Sequence, residues 1–101
     1  MAKIWFARDG KDPTRGGPIA ELPLATITNK LALTHSDYLC DLSTTPRFGD
    51  PSAETSMIFG YKHVVVQIDK AEAVTHGWKS GFYRASCSPQ EAFEILGLRA
   101  T

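Results

Sequence analysis

The chain has little that would commit it to a familiar chemistry. It contains no apolar run near the roughly 20 residues that a membrane helix needs, so a helical membrane protein is not expected. It has no excess of either charge, with eleven Lys+Arg against eleven Asp+Glu in 101 residues. Binding to nucleic acid or anionic lipid usually draws on a clear basic surplus, so neither is an expected partner. Cysteine is scarce: Cys40 and Cys87 lie far apart and read as free, buried thiols rather than a disulfide. There is no internal repeat, low-complexity tract or charge block. Gly16-Gly17 fits neither Gly-x-Gly-x-x-Gly nor the phosphate-loop pattern. The three histidines, His35, His63 and His76, lack the spacing of metal ligands. No metal or cofactor is therefore expected.

What is present is ordinary for one small globular domain: 43% hydrophobic and 22% charged residues, enough for a single modest core over residues 1–101. The first residues, Met1 to Ala7, run at once into Arg8 and Asp9. They are too short for a secretory apolar region and read as a first strand, so a cytoplasmic location is expected.

The strongest local signal is Met57 to Ile68. Strand side chains alternate between faces. One face carries Ile58, Lys62, Val64, Val66 and Ile68, an aliphatic set made for a core. The other carries Phe59, Tyr61, His63, Val65 and Gln67, aromatic and polar at one end. Gly81 to Ser86 reads as another strand, fit to pair antiparallel with the first.

Helix signals lie elsewhere. Leu24, Ile27 and Leu31 share one helical face behind Pro23. Ser36 is placed to cap a short second helix over Asp37–Leu42. Residues Asp69 to His76 predict one or two turns stopped by Gly77. Ser88-Pro89-Gln90-Glu91 is a capping box that opens a last helix, closed by Gly97. Two stretches are loops: residues 9–18, rich in Gly, Pro and Asp, and residues 43–56. A ten-residue loop is long for a simple turn and is a natural place for function.

The sum predicts an α+β domain with a small three- to four-stranded, mostly antiparallel sheet and two to three helices packed on one face. Ile4, Phe6, Val64, Val66 and Ile68 would face those helices. Trp5, Tyr61 and His63 would point the other way, as an aromatic surface open to a partner.

Three constellations bear on chemistry. Arg47 and Asp50 flank a Phe48-Gly49 turn, where an aspartate-held arginine can anchor a carboxylate or phosphate. His63 can donate, accept or titrate near neutral pH, although a histidine bonded within its sheet layer is the plainer reading. Of the two thiols, Cys87 precedes a helix whose N-terminus would lower its pKa, whereas Cys40 sits between Asp37 and Asp41.

These features order the functional expectations. First comes a protein-interaction module or homodimer using Trp5, Arg47, Phe48, Asp50, Tyr61 and His63, with Trp78 or Arg84 as additions. Second is a small-ligand protein, for an anionic ligand, or an enzyme with a pocket around Arg47, Asp50 and His63. Third is a nucleic-acid binder through a helix-turn-helix-like segment over residues 24–42. The third suffers from aspartates at the positions that would face phosphates.

Overall fold

Val64, Val66 and Ile68 are fully buried on one side of a strand whose other side carries His63, Val65 and Gln67. That alternation organises the whole molecule. The computed structural model describes residues 1–8, 10–48 and 61–98. Strands β1 (Ala2–Ala7), β2 (Ala20–Leu22), β3 (Tyr38–Cys40), β4 (His63–Ile68) and β5 (Gly81–Ala85) form one antiparallel sheet in the order β2-β1-β4-β5-β3. The register of the central pair places Ile4 opposite Val66 and Trp5 opposite Val65. Residues 57–60 of the expected long strand lie outside the described residues.

Three helices contribute to the core on one face of this sheet: α1 (Leu24–Lys30), α2 (Lys70–His76) and α3 (Pro89–Ile95). The core joins Ile4, Phe6, Val64, Val66, Ile68 and Tyr83 to Leu24, Ile27 and Leu31 from the first helical segment and to Ala73 and Ala92 from the other two. The terminal signals behave as their chemistry demands. Asp69 accepts from the Glu72 amide at the start of α2, and Gly77 ends it in the left-handed region at φ 73°. Ser88 and Glu91 form both bonds of the capping box.

The α+β class therefore holds, with one correction: the sheet has five strands, not three or four. β2 and β3 are each three residues long, too short for an alternating pattern to stand out. A second correction concerns residues 37–42, expected as a helix. The capping box there belongs to Thr34 and Asp37, and it closes only one 3-10 turn over His35–Asp37. The chain then becomes β3, with Tyr38 opposite Tyr83 and Cys40 opposite Phe82. Cross-strand packing outweighs a local helix signal here: the Tyr38 ring meets Tyr83 edge-on, with centroids 5.5 Å apart. The 24–42 segment is thus one helix, a turn and an edge strand, not a helix-turn-helix.

The opposite sheet face is also covered. Trp5, only 6% exposed, joins Ala7, Val65 and Phe82 in a second apolar cluster capped by Cys40, Leu42 and Phe48. The expected open aromatic surface is corrected accordingly: its indole is interior. Among the described residues no helix is long and apolar enough to cross a membrane.

Candidate functional site

Residues 41–48 form the strap that closes this second face, and local bonding shapes it. One Asp41 carboxylate oxygen accepts from the Ser43 amide at 3.1 Å, the Ser43 hydroxyl at 2.7 Å and the Thr44 hydroxyl at 3.0 Å. These donors, the Ser43 hydroxyl foremost, hold the Asp41 carboxyl below its ordinary pKa. The turn carries the chain to Phe48, whose ring stacks on His63 with centroids 4.3 Å apart. The Arg84 guanidinium lies 5.8 Å from the Phe48 ring centre.

The strap is tied to the loop after β1 by a reciprocal pair of bonds. The Gly10 amide donates to the Phe48 carbonyl at 2.6 Å, and the Arg47 guanidinium donates to the Gly10 carbonyl at 3.2 Å. That second loop is braced internally. Asp12 accepts from the Thr14 amide at 2.8 Å and its hydroxyl at 2.7 Å, and the Trp5 indole N–H donates to the Gly16 carbonyl at 3.2 Å. Thr14 above all, with Arg47 and Arg15 adding, keeps the Asp12 carboxyl below its usual pKa and hence ionised.

Two surfaces result. At the β3 edge, Leu39 is 39% exposed, and among the described residues it is the one large hydrophobic side chain exposed on a strand. A shallow groove lies on each side of it. One, of about 380 Å³, is lined by Asp37, Tyr38 and Arg84; the other, of about 200 Å³, by Thr44, Thr45 and Arg47. Leu39 borders both. At the other end of the sheet, where β1 runs past its short partner β2, a more enclosed cavity of about 170 Å³ is walled by Trp5, Phe6 and Tyr61, with Arg8, Lys11 and Gly16 also lining it.

The six residues expected to share a surface are therefore divided. Phe48 and His63 meet directly. Trp5 lies beneath them in the cluster that Phe48 caps, and it also reaches the enclosed cavity. Tyr61 is not beside His63: it packs on Phe6, centroids 5.8 Å apart, against the helix-side core, and carries the Arg8 guanidinium 4.5 Å from its ring centre. The strand begins only at His63, so strict alternation does not extend back to Tyr61. Arg47 reaches Gly10 and lines the Leu39 groove, and Asp50 lies outside the described residues. Trp78 stacks on His35 at 4.0 Å and packs into the helix side, away from this surface.

The expectation of free thiols holds, whereas the expected lowering of the Cys87 pKa by the α3 N-terminus is corrected. Both thiols are free and half-buried. Burial pushes the Cys87 thiol above its ordinary pKa despite its place before α3, and burial with the nearby Asp41 does the same at Cys40. Among the described residues no group of three or more His, Cys, Asp or Glu is placed to hold a metal ion.

Sequence reasoning missed Leu39, hidden by the helix reading of its segment, and the pairing of Arg8 with Lys11. The unusual length of the 9–18 loop was the available pointer to the latter. No family model matches the chain, and no curated protein or solved structure shows significant similarity to it.

Proposed function

We propose that this chain is a protein-interaction module that pairs with a second copy of itself around Leu39 at the β3 edge. The supporting observation is the exposed Leu39 set between two shallow grooves, with Arg84 in one and Arg47 in the other. Apolar centres flanked by arginine and aromatic side chains are the composition of interface hot spots.

The unlike ends of this surface favour self-pairing. Asp37 lies in one groove and Arg47 in the other. A two-fold axis through Leu39 exchanges the ends, so that Asp37 of each copy meets Arg47 of the other, an isologous and charge-complementary contact. Arg84 would meet the hydroxyls of Thr44 and Thr45. Zero formal net charge removes long-range repulsion between copies. A ligand or enzyme pocket built on Arg47, Asp50 and His63 draws less support, because the Phe48 ring stacks on His63.

A cysteine placed on the axis tests this reading. In a background lacking Cys40 and Cys87, Leu39→Cys should form an intermolecular disulfide under mild oxidation, since two Cα atoms near a two-fold axis fall within about 7 Å. Val74→Cys, exposed on α2, serves as the comparison. Equal cross-linking at both positions would contradict the proposed surface.

A further inference from the structure

We propose that the 41–48 strap is a latch that regulates pairing: a copy presents its complete surface only while Phe48 is seated on His63. This role rests on the pairing around Leu39 proposed above. The pairing surface is split between two parts of the fold. Leu39 and Cys40 belong to β3 and Arg84 to β5, whereas Thr44, Thr45 and Arg47 belong to the strap. The strands are fixed by their ladders. The strap is fixed at its two ends. At the first, the Asp41 side chain accepts from Ser43 and Thr44, and the Thr44 amide donates to the Asp41 carbonyl at 3.2 Å. Those bonds lie within the turn itself and survive if the far end lifts. At the second end, Phe48 stacks on His63, the Gly10 amide donates to the Phe48 carbonyl and Arg47 donates to the Gly10 carbonyl. The buried Pro46 seats the same end. Among the described residues, no backbone–backbone hydrogen bond ties Thr45 or Pro46 to the rest of the fold.

A segment held by a few contacts at one end opens at lower cost than the whole fold unfolds. The apolar cluster of Trp5, Val65 and Phe82, which Phe48 covers, favours the closed state. Closure also aims Arg47. Its guanidinium gives one N–H to the Gly10 carbonyl and keeps its other donors for Asp37 of the other copy. Phe48 lines neither groove, so its effect on pairing passes through the strap. The coupling is reciprocal: closure favours pairing, and pairing favours closure. A homodimer needs both copies closed, so its Kd rises as the inverse square of the closed fraction. A fall in that fraction to about one third raises Kd about tenfold.

Sedimentation equilibrium gives the dimer Kd of the wild type, Phe48→Ala and Phe48→Tyr, with far-UV circular dichroism showing that each is folded. Phe48→Ala should raise Kd about tenfold or more. Phe48→Tyr, which keeps the ring, should stay near the wild type. The Gly10 amide supplies the reciprocal reading, because it bonds to Phe48 yet lines neither groove. Its hydrogen exchange should be at least about fivefold slower in the wild-type dimer than in single-chain Leu39→Lys, the lower end of ordinary coupling. That comparison uses no Phe48 variant, so it decides the question even where Phe48→Ala fails to fold. Equal Gly10 exchange in the two proteins overturns the latch. So does a folded Phe48→Ala that pairs as tightly as the wild type. Either result leaves the pairing at Leu39 standing. A wild type that keeps the single-chain mass overturns the pairing, and the latch with it.

Discussion

The ring of Phe48 lies on the imidazole of His63, with centroids 4.3 Å apart and planes 24° from parallel, and so holds the 41–48 strap against the sheet face opposite the helices. Phe48→Ala removes that stack and uncovers Trp5 and Phe82. Full truncation of a core Phe costs about 3–5 kcal/mol; a half-buried one should cost about half that. Urea unfolding should show the midpoint falling at unchanged slope. Trp5 emission, read in a Trp78→Phe protein, should shift to the red. An unshifted emission would mean that Leu42 and Cys40 cover the cluster by themselves.

Gly81 is the position least open to change. It adopts φ 148°, and an added Cβ would fall 2.5 Å from the Cys40 carbonyl oxygen and 2.7 Å from the Tyr38 ring. The missing side chain is what lets β3 lie against the start of β5. Gly81→Ala should therefore destabilise by at least about 2 kcal/mol and release β3 first. Amide exchange at Tyr38–Cys40 should speed up before exchange in β4 does. Uniform acceleration across both strands would show that β3 does not come away separately.

The helix-side half of this architecture was legible in the sequence. Val64, Val66 and Ile68 announced a buried face by alternation, and the Ser88–Glu91 capping box and the Asp69–Gly77 pair marked two helices by their ends. What escaped depended on partners distant in the chain. Tyr38-Leu39-Cys40 carries a plausible helix signal and becomes a strand only because Tyr83 and Phe82 pair with it. Trp5 looked like a surface aromatic because nothing local shows that Phe48, forty-three positions later, closes over its cluster. The candidate site was legible in the same uneven way: Arg47 and Phe48 stood out, whereas Leu39 needed the sheet order to become an edge.

Both thiols should be slow to react. Burial raises the pKa of Cys40 and of Cys87 above an ordinary value of 9.0. For an acid whose native pKa is raised, the neutral form is the one the fold favours, so thiolate accumulates only above pH 9. Iodoacetamide modification of each site at pH 8 should be slower than that of free cysteine and should climb steeply above pH 9. A rate that already levels off near neutral pH at Cys87 would show an activated thiol and contradict this reading.

Self-pairing around Leu39 is read out by sedimentation equilibrium across a concentration series. The wild-type protein at tens of micromolar should give twice the mass of the 101-residue chain. Leu39→Lys, which places a cation on the axis opposite its own copy, should give the single-chain mass at the same concentrations with an unchanged melting temperature once fully monomeric wild type is the reference. A wild-type protein that stays at the single-chain mass throughout the series would contradict the account.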